Sequence, residues 1–241
     1  MTAVATIGSF TLRGLLGRRR AILLVLLAAL PILVGLLVRL GGGRPDVAEI
    51  LDTLVVRTVL PLIALIVGTA TIGGEIEDGT LVYLLVKPVP RWRTAVTKIV
   101  VAAGLTVVLV VPPMILAAVL MAGISSATLG TAAGFAAAVV VGGAAYAAVF
   151  TTLGAVTSRA LVIGLVYTLL WEGVLAGLLT GTRFLSIRQA TLGLAAGFSG
   201  EDVGVDALDP AVSAVVLVAA IAIATWLASV ALRRFQVRSA D

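Results

Sequence analysis

Cysteine and histidine are both missing from this 241-residue chain. Their absence excludes thiolate and imidazole metal sites, His-based general bases, and haem held by His or Cys. It also leaves the redox compartment unspecified. Charge is scarce as well: 12% of residues are Asp, Glu, Lys or Arg, about half of the roughly 25% in soluble domains. A phosphate loop is lacking too. The glycine-rich GTATIGGE at 68–75 has no lysine to reach a phosphate. What the chain does have is apolar surface. Hydrophobic residues make up 61%, and the mean hydropathy is +1.20. Such a chain belongs in a bilayer.

Six apolar segments emerge, at roughly 21–38, 54–72, 99–121, 132–153, 161–179 and 211–232. Each approaches the ~20 residues that cross ~30 Å of hydrocarbon. The predicted fold is therefore an all-α polytopic membrane bundle of six transmembrane helices spanning residues 21–232. Residues 1–20 precede it and 233–241 form a tail. The net charge of +5 does not point to nucleic acid, because the basic residues flank the apolar runs, where they anchor a chain to lipid. The first apolar run is long and ends in no small-residue cleavage site, unlike a cleaved signal.

Basic residues set the orientation. With the N-terminus inside, the inner face holds Arg13, Arg18, Arg19, Arg20, Lys87, Arg91, Arg93, Lys98, Arg159, Arg233, Arg234 and Arg238. The outer face holds Arg39, Arg44, Arg57, Arg183 and Arg188. Both termini are predicted to be cytoplasmic, in the plasma membrane. Residues 7–20, IGSFTLRGLLGRRR, place Phe10, Leu12, Leu15 and Leu16 beside a basic end, which suits an interfacial helix. The long outer segment 181–209 divides into an apolar first part, able to lie at the interface or dip back, and a wet second part rich in Asp and Glu. The fourth segment is dense in Ala and Gly, which let helix backbones approach in lipid.

An island of charge, GGEIEDGTLVYLLVKPVPRWRT at 73–94, interrupts the apolar pattern. Read as a helix over 75–86, it places Glu75, Glu77 and Asp78 in a first turn, where acids are favoured. Gly79 marks a bend or a close contact. Pro88 and Pro90 stop the helix. Residues 74–90 thus form a short stiff elbow between spans two and three. A plain solvated loop is the simpler reading, and a docking surface the sharper one. Paired carboxylates with no His anywhere make poor catalysts, so no catalytic, cofactor-binding or metal residue is assigned.

The run Glu75-x-Glu77-x-Gly79-Thr80-Leu81, followed by Leu84-Leu85, Pro88-Val89-x-Arg91 and Lys98, resembles the signature of the ABC-2 family of transporter permeases, membrane subunits of type V ABC exporters. The resemblance covers nearly the whole chain. It implies an interfacial helix before span one, six spans, and a cytoplasmic coupling helix that meets a separate ATP-hydrolysing subunit. It also implies short re-entrant helices between spans five and six. Carried over, Glu75, Glu77, Gly79, Thr80 and Arg91 fall in the ATPase-coupling region. ATP and Mg would be held by the partner ATPase, and two permease copies, identical or related, would complete the pathway.

One more residue stands out. Glu172, in YTLLWEGVLAGLL, falls deep in span five, where a carboxylate is costly and functional by default. Three readings stay open: a structural pair with Arg57 or a cap, a lining of the transport path, or a span boundary placed elsewhere. An ion-coupled secondary carrier would need such a group. That carrier, or a non-catalytic scaffold, is the alternative to an ABC exporter permease.

Overall fold

The computed structural model describes residues 18–42, 46–77, 91–175, 184–200 and 208–234. Every regular element among them is helical. Helix α1, Arg18–Leu40, takes in the three arginines expected to precede span one. Its Leu24, Ala28, Pro31 and Gly35 are buried at helical spacing, while Leu23, Leu26 and Leu37 face outward as a lipid-facing side must. A Cβ on Gly35 would sit 2.9 Å from the Ala117 carbonyl, so α1 lies backbone to backbone against the third long helix.

Asp46 opens the next rod. Its side chain accepts from the backbone N–H of Ala48 at 2.9 Å and of Glu49 at 3.3 Å, a standard N-cap. The rod runs as α2 (Val47–Ile50), a π-helical segment π1 (Leu51–Val59) and α3 (Leu60–Glu77). Pro61 offers one reason for the π turn. It has no N–H for the carbonyl one α turn back, and widening to i→i+5 bonds rehouses the neighbouring groups. The Leu60 N–H accordingly reaches the Val55 carbonyl, and the Thr58 hydroxyl donates to the Thr53 carbonyl at 3.1 Å.

Helix α4 spans Arg91–Ala122 and carries Pro112 and Pro113. Gly123, at φ 77°, makes the turn that follows, and Ser125 caps α5, Ser126–Val156. A short turn leads to α6, Ala160–Val166, and a second π-helical segment π2, Tyr167–Leu175. Ser186 then caps α7, Ile187–Ser199, which ends on left-handed Gly200. Asp209 caps α8, Pro210–Arg234, by accepting from the backbone N–H of Ala211 at 2.9 Å.

The small-residue helix α5 is the centre of the bundle. It packs on α3, α4, α6, α7 and α8. Its Phe135, Tyr146 and Phe150 are fully buried, and the Tyr146 and Phe150 rings stack with centroids 5.8 Å apart. A second core cluster joins Ile72, Ala95, Ile99, Ala155, Ala228 and Leu232 where α3 ends and α4 begins.

Five helices among the described residues are long and apolar enough to cross a membrane. The expected fifth span, 161–179, differs. Its described part is the shorter apolar helix Ala160–Gly173, which turns π-helical halfway, and residues 176–179 lie outside the described residues. Of the expected interfacial helix 7–20, residues 7–17 lie outside them and 18–20 belong to α1; of the expected tail 233–241, residues 235–241 lie outside them and 233–234 end α8.

Candidate functional site

The charged island is only partly described. Glu75 and Glu77 do not open a separate helix, as the sequence suggests. They sit at the C-terminal end of α3, because the apolar pattern of span two carries through Thr71, Ile72 and the two glycines without a break. Arg91 is the first residue of α4. Gly79, Thr80 and residues 78–90 as a whole lie outside the described residues. Between the ends of α3 and α4, Lys98 is fully buried, and its ammonium donates to the Thr71 carbonyl at 3.0 Å.

Glu172 is the centre of a better-defined cluster. It lies on π2 and is 2% exposed. Its carboxylate accepts from the Tyr167 hydroxyl at 2.8 Å and from the Ser186 hydroxyl at 2.5 Å. It also accepts from the backbone N–H of Ile187 at 3.0 Å and of Arg188 at 3.4 Å. Tyr167 and Glu172 are five residues apart, the spacing that a π turn brings together. The contact is reciprocal: the Arg188 guanidinium donates to the Glu172 backbone carbonyl at 3.0 Å. Nearby, the Trp171 indole N–H donates to the Leu185 carbonyl at 3.4 Å.

The physics of this arrangement is that of a helix N-terminus. The first N–H groups of α7 have no partner within the helix, and they carry the positive end of its dipole. Ser186 satisfies one of them by accepting from the Gln189 N–H at 3.1 Å. Glu172 takes two more and brings the negative charge that such a site favours. A buried acid is thereby held by donors from π2 and α7 together.

Arg57 is exposed, on π1. None of the hydrogen bonds of Glu172 among the described residues goes to it. The electrostatic neighbours of Arg188 are Arg57, Asp52, Tyr146 and Glu172. Burial pushes the Arg188 guanidinium below its ordinary value, the Arg57 charge pushes the same way, and Asp52, Tyr146 and Glu172 oppose both. Arg57 and Glu172 are both electrostatic neighbours of Arg188, but the partner that the acid engages is the start of α7.

The tripeptide Ser186-Ile187-Arg188 carries the missed signal. Ser186-x-x-Gln189 ahead of an apolar run is the pattern of a capped helix start. Residues 187–195 are all buried, so this helix sits in the bundle and not at its rim. Elsewhere, an apolar groove of about 340 Å³ runs between α5 and α8, lined by Val149, Leu153, Ile223 and Leu227 among others. Its one hydroxyl, on Thr152, lies between the carbonyls of Ala148 and Ala224 at 2.7 and 2.8 Å. Among the described residues no cluster of Asp and Glu could hold a metal ion.

Residues 16–189 match the model of one protein family, described as ABC-2 family transporter protein. The match takes in all of α1 to α6, both π segments and the first turn of α7. No curated protein matches the chain.

Proposed function

Because the chain belongs to the ABC-2 family of membrane transporters, as a non-catalytic transport subunit, we propose that it is the permease of an ATP-driven exporter whose ATPase is a separate chain. The observation that carries this reading is the family match across a bundle of long apolar helices. In this reading the α6–π2 helix, continued through 176–179, is a sixth span. Residues 1–17, ahead of α1, hold an interfacial helix, and both termini face the cytoplasm. ATP and Mg are bound by the partner. Two permease copies, the same or related, enclose the path.

Coupling is assigned to the segment between α3 and α4. Glu75 and Glu77 end α3, Arg91 begins α4, and Gly79 and Thr80 lie between. A push on this elbow acts on the ends of both spans, and Lys98 ties those ends together through the Thr71 carbonyl. The alternative, an ion-coupled carrier, needs a buried acid free to exchange ions or protons. Glu172 is the buried acid at hand, and it is engaged by four donors.

The test is capture of the cognate ATPase by the detergent-solubilised chain. Glu75→Arg with Glu77→Arg is expected to reduce capture at least tenfold while the melting temperature holds, and Gly79→Leu to do the same by steric crowding. Wild-type capture by all of these variants would remove the docking role from the elbow.

A further inference from the structure

Helices α5 and α8 touch at Thr152, whose hydroxyl lies 2.8 Å from the Ala224 carbonyl. Beside this contact they leave the groove of about 340 Å³. Its walls are Val149, Leu153 and Val156 on α5 and Ala220, Ile223 and Leu227 on α8. These positions recur at helical spacing, so the groove follows both axes for about two turns, ~10 Å. Val156, Ile223 and Leu227 are exposed, so it opens on the lipid side. The small side chain of Ala220 leaves space that a longer one would fill. The walls offer carbon alone, because the Thr152 hydroxyl is taken up by the Ala148 and Ala224 carbonyls. A polar ligand would find no partner there.

Size decides between two apolar occupants. A helix with its side chains is ~10 Å wide, and two turns of one fill roughly 800 Å³, more than twice the space. A second copy would therefore rest on the rim, whereas a single hydrocarbon chain lies along the floor. Charge decides which hydrocarbon chain. The groove runs toward the ends of α5 and α8 that the Lys/Arg bias assigns to the cytoplasmic side. Val156 is the last residue of α5, and Arg159, three residues on, is exposed. Helix α8 ends on Arg233 and Arg234, and neither 149–171 nor 211–240 contains an Asp or Glu. The positive charge at this end of the groove is thus opposed by no acid of the two helices that wall it.

We propose that the groove binds an anionic glycerophospholipid, with one acyl chain laid between α5 and α8 and the phosphate at Arg159. Basic positions between spanning helices on the cytoplasmic side take such headgroups. The chain supplies dispersion contacts that the groove walls otherwise lack. The lipid is a bound component of the bundle and not its cargo. The inference rests on the transporter reading only for the leaflet from which the lipid comes.

Native mass spectrometry of the full chain in detergent, without any ATPase, tests it by counting bound lipids and protein copies together. The probes are phosphatidylglycerol and phosphatidylcholine with the same oleoyl chains, and glycerol phosphate as the headgroup without a chain. Phosphatidylglycerol should be retained about fivefold or more over phosphatidylcholine, and glycerol phosphate should not displace it. Arg159→Gln should lower retention of phosphatidylglycerol about fivefold and leave phosphatidylcholine unchanged. Ala220→Leu, which fills the groove, should weaken both lipids, with a melting temperature near wild type as the check on folding. Ala220→Val is the milder filling variant should Ala220→Leu not fold. Equal retention of the two phospholipids by wild type overturns the proposal, as does wild-type retention of phosphatidylglycerol in a folded Ala220 variant. Displacement by glycerol phosphate overturns it too, since the chain would then play no part. Loss of dimers in Ala220→Leu with lipid retention unchanged would give the groove to a second copy instead. Failure of ATPase capture leaves this measurement intact, so the two readings fail separately.

Discussion

At the scale of single residues, the cost of a carboxylate inside an apolar bundle is set by its donors. Four reach Glu172, and Ser186 serves twice, donating to the acid and accepting from Gln189. Ser186→Ala loses both bonds. A cap contributes ~1 kcal/mol and a bond to a charged group ~1.5–3 kcal/mol. The expected destabilisation is therefore about 2–4 kcal/mol, read as the loss of melting temperature in detergent, with Ser186→Thr recovering most of it. A loss below ~0.5 kcal/mol would mean that the acid does not depend on this hydroxyl. Arg57 and Glu172 share no hydrogen bond among the described residues but share Arg188 as an electrostatic neighbour, so a double-mutant cycle of Arg57→Gln and Glu172→Gln, read in melting temperature, should show a coupling well below that of a direct ion pair. Glu172 was legible as an anomaly, since one acid in a long apolar run needs no alignment to be noticed. Its partner was not. Ser186 is 14 residues away, and nothing in the apolar pattern says that the chain doubles back so closely.

At the scale of elements, the long helices were legible and the irregular ones were not. Hydropathy found all five long helices and placed the ends of α1 and α8 within three residues, but the starts of α3, α4 and α5 lie six to eight residues from the expected ones. A short helix between spans five and six was expected only from the family resemblance; the bounds and full burial of α7 escaped because it has 13 residues, and a helix buried by protein carries no lipid-length signal. The π segments escaped because a bond register of five instead of four leaves the apolar spacing almost unchanged, although Pro61 marks the place of the first. The dense small residues of α5 were legible as close packing, but its partner, α7, was not. Gly142→Ala should cost about 1–3 kcal/mol through overpacking, seen as a lower melting temperature. Thr191→Ala in the same chain should return most of it. If Gly142→Ala melts like wild type, the backbones have room to separate and the packing of α7 is looser than described.

At the scale of the whole molecule, α5 is the measuring rod, since its two ends lie on opposite sides of the bilayer. The chain has no cysteine, so each introduced thiol is the sole target of a reagent. Ser126 and Ser158, just outside or at the ends of α5, are both exposed. Ser126→Cys should be labelled by a membrane-impermeant maleimide in intact cells, and Ser158→Cys only after permeabilisation. The reverse pattern would invert the orientation drawn from the Lys/Arg bias.

The same rod has a further consequence. Helix α4 has 32 residues and α5 has 31, about 48 and 46 Å at 1.5 Å per residue, against ~30 Å of hydrocarbon. Tilt alone does not absorb that difference, because fitting α4 inside the hydrocarbon needs an angle near ~50°, beyond the 0–40° that spanning helices adopt. Part of each helix must stand proud of the acyl chains. At the Arg91 end of α4, Trp92 is half exposed, with the Arg93 guanidinium 5.3 Å from its ring centroid, a pair suited to the headgroup layer. The molecule is therefore built on a central hairpin taller than its solvent is thick, and the thickness of the surrounding lipid becomes one of the forces that set its shape.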